Sequence, residues 1–239
     1  MNHRRFVAPR LAVAALLGLL AVAIPAAAAG RPVTWTGPDG TTLAGMLYET
    51  GRQAPGVVLV HMLGRSKDEW AGVASDLQEA GVTTLAMDLR GHGSSSGSGG
   101  AFAPMTGDVR AAAEWLAARG NIRPGSVAIV GASLGATLAA LAAVDAPSVR
   151  AVALISPALD YRGLRLDAAV MKKLGRRAVW LVASTEDPYA LRTVRELAGA
   201  DGTREQRVSA VRAHGTALFS ADPDLTPALL DWLRRALAF

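Results

Sequence analysis

The stretch that most constrains the fold is Gly-Ala-Ser-Leu-Gly at residues 131–135, because of what flanks it. An apolar, β-branched run precedes it at 127–130, and a run rich in alanine and leucine follows at 136–144. A strand, a tight G-x-S-x-G turn and a helix in this order predict a nucleophile elbow, which exposes the hydroxyl of Ser133 at the top of a sheet. The elbow needs strained backbone at the serine, and a Cβ at either flanking glycine would clash.

The five-residue pattern alone is a weak signal in a chain with 25 glycines. A glycine-rich turn before a helix can also bind a phosphate group. Neither G-K-[ST] nor a G-x-G-x-x-G that follows a strand is present, however, so the flanking strand and helix favour the elbow.

The rest of the chain alternates apolar runs with helical periodicity, which predicts one α/β domain with a mostly parallel sheet covered by helices on both faces. Residues 33–36 and 41–48 flank a Gly-Pro-Asp-Gly turn and predict an antiparallel hairpin. Further strands are expected at 57–60, 82–87, 127–130, 151–155, 178–183 and 205–211. Helices are expected at 67–80, 105–118, 136–144, 189–198 and 225–237.

Two connecting segments bear on access to the site. Residues 156–177 have room for one short helix at about 167–174, which predicts little or no lid and an open cleft that excludes water poorly. The serine- and glycine-rich run 94–100 is expected to form a mobile loop over the sheet edge.

A serine hydroxyl is a poor nucleophile at neutral pH and needs a base that is oriented by an acid. Asp187 follows the strand expected at 178–183, and His214 follows the last expected strand, so both lie at the edge where open α/β sheets bind ligands. The order Ser133, Asp187, His214 is the one expected for a triad built on this elbow. Asp160, after the preceding strand, is the alternative acid.

The other polar residues of the strand-end loops have structural interpretations. His61 and His92 are expected to hold turns by side-chain hydrogen bonds rather than to act in catalysis. Asp88 and Arg90 are expected to brace a loop as a pair. No His, Asp or Glu cluster has the spacing of a metal site, so no metal and no cofactor is expected.

These motifs together resemble the α/β-hydrolase fold family of serine esterases, with some likeness to dienelactone-hydrolase-type members. The matching stretches are HMLG at 61–64, DLRGHG at 88–93, GASLG at 131–135, EDP at 186–188 and HGT at 214–216. The resemblance implies that Ser133 is the nucleophile, His214 the general base and then acid, and Asp187 the orienting acid.

The resemblance also implies an oxyanion hole made by the backbone N–H groups of Leu134 and Leu63, with Met62 as the fallback donor. The chain departs from the family at Met62, where the family usually has glycine. Dienelactone hydrolases proper carry cysteine at the position of Ser133, so their specific activity is not implied. Met62, Phe102 and Tyr161 are candidate substrate-binding residues, with core packing as the alternative.

The first 29 residues read as an export signal: three arginines, an unbroken apolar run from Leu11 to Ile24, then Pro25 and four alanines. The expected mature chain is therefore 30–239, periplasmic or extracellular and without stable membrane insertion. The alternative is an uncleaved N-terminal anchor in the membrane. Three of the 25 basic residues and none of the 20 acidic ones lie in 1–29, so the formal charge falls from +5 to +2 on cleavage.

The scattered arginines give no reason to expect a nucleic-acid partner. The leading hypothesis is an exported serine hydrolase that cleaves a small-molecule carboxylic ester through an acyl-enzyme. An acyltransferase, thioesterase or peptidase with the same triad is the first alternative. A non-catalytic binding protein on the same fold is the second.

Overall fold

A computed structural model describes Met1 and residues 30–199 and 204–239. The expected export signal at 1–29 therefore lies, except for Met1, outside the described residues. In the described part of the chain, no helix has both the length and the apolar character needed to cross a membrane.

The strands of the described residues are β1 (Arg31–Thr36), β2 (Thr42–Tyr48), β3 (Ala54–Val60), β4 (Thr83–Asp88), β5 (Ile122–Ala132), β6 (Val149–Ile155), β7 (Asp160–Tyr161), β8 (Leu164–Arg165), β9 (Ala178–Ser184) and β10 (Arg204–Ser209). Eight of them form one sheet in the order β1-β2-β4-β3-β5-β6-β9-β10, antiparallel at β1–β2 and β2–β4 and parallel elsewhere. β7 and β8 form a separate two-stranded hairpin. The mostly parallel sheet and the initial hairpin confirm the predicted fold class.

Helices cover both faces of this sheet. They are α1 (Ala71–Glu79), α2 (Ala103–Ala117), α3 (Leu134–Val144), α4 (Ala168–Leu174), α5 (Pro188–Ala198), α6 (Ala217–Ala221) and α7 (Leu225–Leu237). The central strand β3 is buried throughout, with Val58 and Val60 facing the core under α2 and α3 and Val57 and Leu59 facing the core under α1 and α7. Burial on both faces explains why the parallel strands read as continuous apolar runs in the sequence.

Local differences from the sequence predictions have identifiable causes. The helix expected at 67–80 begins with a 3-10 turn, Lys67–Trp70, that is capped by the Ser66 side chain, and only then continues as α1. The β7–β8 hairpin and the five-residue α6 were not predicted, because such short elements carry no periodic signal. The short helix expected in 156–177 is present as α4, with Asp167 as its N-cap.

The first part of the run 94–100, which we expected to be mobile, is hydrogen-bonded to β2 and to the end of β4. Ser95 is buried, accepts a hydrogen bond from Ala44 N–H at 2.9 Å and donates one to the Asp88 carbonyl at 2.7 Å. Ser96 N–H donates to the carbonyl of Thr42 at 2.9 Å. Composition alone identified the loop but not these hydrogen bonds.

Asp88 and Arg90 do not pair with each other, which corrects the expectation from sequence. Asp88, fully buried, accepts from the Lys67 ammonium at 2.8 Å. Arg90 instead makes two hydrogen bonds to the fully buried Asp108 and a third to Asp39. Each residue therefore braces a different connection, and both buried carboxylates have the charged partner that burial demands.

Candidate active site

Ser133 lies in a strained turn between β5 and α3, with φ 54° and ψ −116°. A Cβ on Gly131 would overlap the backbone of Gly135, and a Cβ on Gly135 would overlap the carbonyl oxygens of Val60 and His61. Only glycine fits at both flanks, because strand and helix backbones touch there. The structure thus has the elbow geometry that the glycine spacing predicts, with Ser133 partly exposed at the end of the sheet.

The side chains of Asp187 and His214 lie in contact, Asp187 Oδ2 being 2.5 Å from His214 Nδ1. Asp187 follows β9 and its other oxygen accepts a hydrogen bond from Ala190 N–H at 3.2 Å, which caps α5. Because a carboxylate only accepts, His214 Nδ1 carries the proton, and Nε2 of the neutral ring is left as a proton acceptor. Half of the His214 side chain is exposed, at 51%, which fits a site without a lid.

Asp160, the alternative acid, has only local contacts in the structure. It lies in the β7–β8 hairpin, where Oδ1 accepts a hydrogen bond from Gly163 N–H at 2.7 Å and Oδ2 is 4.0 Å from Arg165. The geometry therefore favours Asp187 as the partner of His214.

Two buried serines, which we did not predict, make hydrogen bonds to the backbone on either side of His214. Ser156, at φ 50° directly after β6, accepts a hydrogen bond from Gly215 N–H at 2.9 Å through its Oγ. Ser184, at the end of β9, donates from its hydroxyl to the Val211 carbonyl and accepts from Glu186 N–H at 2.9 Å. The sequence contains one indication of both: each serine follows directly on an apolar run, and a candidate acid, Asp160 or Asp187, comes three or four residues later.

His61 holds the loop that carries Met62 and Leu63. Leu89 N–H donates to His61 Nε2 at 3.0 Å, so Nδ1 carries the proton and donates to the Met62 carbonyl at 2.7 Å. The Met62 carbonyl and the Leu63 N–H belong to one trans peptide unit and point in opposite directions. The imidazole of His61 therefore fixes the direction of the Leu63 N–H. Burial lowers the pKa of His61 to about 4, so the ring is neutral at neutral pH.

Met62 is excluded as an oxyanion donor in this conformation, because its N–H donates to Glu69 Oε1 at 2.9 Å. Leu63 remains the candidate donor from this loop. Leu134 is the first residue of α3, where a backbone N–H has no acceptor within the helix, so it stays the second candidate. The expected pair of Leu63 and Leu134 is thus consistent with the hydrogen bonds, and the fallback Met62 is not.

The three candidate substrate-binding residues separate into two groups. Phe102 and Tyr161 meet edge to face with ring centroids 5.9 Å apart, and both pack, like Leu63, on the core under α2 and α3. Met62 packs on the opposite core and lies against Gly215. Phe102 and Tyr161 therefore pack together on one side of the sheet, whereas Met62 packs on the other side and against Gly215.

His92 holds a turn as expected. Its Nδ1 lies 3.0 Å from the Arg90 carbonyl, and Gly64 N–H donates to its Nε2 at 3.4 Å. The rings of His92 and His61 are 5.2 Å apart. Both histidines thus have structural hydrogen bonds, in agreement with the sequence interpretation.

We predict that stability depends on pH through His61. Since its folded pKa of about 4 lies below the ordinary value of 6.5, the unfolded chain binds the proton first. Its contribution to stability is therefore complete above pH 6.5 and falls as the pH drops to 4, by about 3 kcal/mol in all. Urea unfolding of the wild type and of His61→Gln, which keeps a donor and an acceptor but does not titrate, should give a difference that shrinks over this range. A difference that stays constant with pH would contradict the assignment.

Sequence comparison gives a family and two distant relatives. The profile of the family described as serine aminopeptidase, S33, matches residues 52–219. An uncharacterized protein of Mycobacterium tuberculosis is 33% identical over 131 residues, 54% of this chain and 46% of that protein. A polyketide transferase of Stachybotrys chlorohalonatus is 31% identical over 150 residues, 59% of this chain and 50% of that protein. The chain spans about half the length of the curated relatives it matches.

Structure comparison gives the same architecture. The esterase Pf2001 of Pyrococcus furiosus superposes with a TM-score of 0.73 over 87% of this chain and 93% of the esterase. At 17% identity, this likeness shows the fold alone. The family profile, in contrast, covers more than half of the chain, and with the eight-stranded sheet and the elbow it shows that the chain belongs to the serine aminopeptidase S33 family of α/β hydrolases.

Proposed function

We propose that the protein is a serine hydrolase that cleaves carboxylic esters of small molecules through an acyl-enzyme. The observation that carries the proposal is the 2.5 Å contact between Asp187 and His214, at the same sheet edge as the strained elbow of Ser133. Strain in a sparsely populated backbone region is typical of active sites. The solved esterase with the same fold supports an ester as the substrate class.

In the proposed mechanism, Ser133 Oγ attacks the acyl carbonyl carbon while His214 Nε2 takes the hydroxyl proton. The N–H groups of Leu63 and Leu134 stabilise the oxyanion of the tetrahedral intermediate. The intermediate collapses, the C–O bond to the alcohol breaks, and the alcohol leaves with the proton from His214. Water, deprotonated by the same nitrogen, then attacks the acyl-enzyme and releases the acid and free Ser133.

Acyl transfer is the second candidate, because a curated relative is a polyketide transferase. The two reactions share every step up to the acyl-enzyme and differ only in whether water or another nucleophile accepts the acyl group. The exposed His214 leaves room for either acceptor. Product analysis with an added alcohol as competing acceptor distinguishes them.

We predict that Ser133→Ala abolishes ester hydrolysis while the fold is kept. Loss of the nucleophile should lower turnover on the order of 10⁴- to 10⁶-fold. Nitrophenyl esters of increasing acyl length and labelling by a fluorophosphonate probe measure this, with circular dichroism as the test of folding. Ser98→Ala, at an exposed loop serine, is the matched control. A folded Ser133→Ala variant with activity within tenfold of the wild type would refute the proposal.

Asp187→Asn should lower turnover by roughly 10³-fold or more, because an amide cannot stabilise the imidazolium of His214 in the same way. The amide oxygen can still cap α5, so the variant should fold. Asp160→Asn removes the alternative carboxylate and should leave turnover within about threefold of the wild type. Steady-state kinetics of the two variants give the comparison, and the reverse pattern would move the acid to Asp160.

We further propose that the chain is exported and that residues 1–29 are removed. The support is the order of arginines, apolar run, proline and small residues in the sequence. An uncleaved apolar segment beside a folded domain would expose a surface that favours association. Mass spectrometry of the protein from its native host should find a chain that starts near Gly30. Full-length protein in the membrane fraction would show an anchor, and full-length soluble protein would refute both export models.

A further inference from the structure

Glu69 joins the two loops that flank the candidate nucleophile. Its Oε1 accepts the Met62 N–H at 2.9 Å, and the Thr216 hydroxyl lies beside the same carboxylate. Met62 precedes the candidate oxyanion donor Leu63, and Thr216 lies two residues after His214. We call the loop of Met62 and Leu63 the oxyanion loop, and the loop of His214 to Thr216 the histidine loop. One side chain, Glu69, therefore connects these two loops.

A second contact joins the same loops next to this bridge. The Met62 side chain lies so close to Gly215 that a Cβ there would overlap its Sδ. The methionine that replaces the family's usual glycine is thus accommodated by the missing side chain of Gly215. The two loops are in van der Waals contact as well as being linked through Glu69.

The backbone of Glu69 is itself held in place. The 3-10 turn that carries it is capped by Ser66, whose Oγ accepts from Asp68 N–H. The next residue, Trp70, is fully buried and meets Phe219 of α6 edge to face at 5.5 Å. A carboxylate on a fixed turn with two partners in two loops can set the distance between those loops.

We infer that Glu69 is a positioning residue that fixes the Leu63 N–H relative to His214, so that oxyanion stabilisation and proton transfer occur in one geometry. The inference rests on the proposed function, since it concerns the reaction at Ser133. Glu69 acts through its neighbours and does not touch the substrate. A misplacement of the order of 1 Å between such groups is enough to cost up to 100-fold in rate.

The charge of Glu69 is not what stabilises the fold here. Burial raises the pKa of Glu69, in spite of the Met62 hydrogen bond, the nearby Thr216 hydroxyl and the charge of Arg65. Ionisation of Glu69 therefore adds no stability at neutral pH.

Three variants test the inference with nitrophenyl esters at pH 7. Glu69→Ala removes the Met62 hydrogen bond and the neighbour of Thr216, and it should lower kcat about 10- to 100-fold with KM within about twofold. Glu69→Gln can still accept from Met62 N–H, so it should recover at least tenfold of a 100-fold loss. Thr216→Val removes the hydroxyl beside Glu69 and should lower kcat about 3- to 10-fold, and the loss should not add to that of Glu69→Ala.

Glu79→Ala is the matched control, since it removes an exposed carboxylate at the end of α1, the helix that follows the turn. Its kcat should stay within about twofold of the wild type. A Glu69→Ala variant with wild-type kcat would overturn the inference. Equal losses in the Ala and Gln variants, or a higher KM at unchanged kcat, would overturn it too.

Amide hydrogen exchange keeps the inference separate from the proposed function. Glu69→Ala should speed exchange at Met62 and at Gly215 about tenfold or more, whereas Glu69→Gln and Glu79→Ala should not. A wild type that is inert toward esters and toward the fluorophosphonate probe refutes the proposed function, and unchanged exchange in Glu69→Ala refutes the bridge itself.

Discussion

The close approach of β3, β5 and α3 at the elbow is the constraint on which the rest of the site depends. Gly131 and Gly135 have no room for a Cβ, and this contact forces Ser133 into a backbone region that non-glycine residues rarely occupy. The strain persists because the strand before it is buried on both faces of the sheet and the helix after it is buried against one of them. The hydrophobic core therefore holds the turn that carries Ser133 in a strained conformation.

The loops around the elbow are held by polar side chains as well as by apolar packing. Ser184 is the last residue of β9, and Ser156 and His61 directly follow β6 and β3. Each of these side chains makes a hydrogen bond to the backbone of a loop near the elbow. Burying a polar side chain costs free energy unless the side chain is hydrogen-bonded. The hydrogen bond therefore favours the conformation in which it can form. This is a reason why a site without a lid, and with a half-exposed histidine, can still have a defined geometry.

The sequence was sufficient for features that repeat or that strain the chain. Continuous apolar runs identified the parallel strands, and the spacing of Gly131 and Gly135 identified the elbow. Asp187 could be preferred over Asp160 because it follows the penultimate strand of the sheet. Contacts between distant loops carry no such pattern. The ion pair between Arg90 and Asp108 could not be predicted from the sequence. The burial of Ser95 could not be predicted either, because it lies in a run rich in serine and glycine.

Met62 shows how a departure from a family pattern can be resolved only in three dimensions. In the sequence, a methionine at a usual glycine position puts the shape of the oxyanion loop in question. In the structure, its side chain occupies the space left by Gly215, and its N–H is held by Glu69. The Met62 side chain has room because Gly215 has no side chain. The conformation of the oxyanion loop therefore depends on a residue of the histidine loop, Gly215. Neither loop can be understood from its own residues alone.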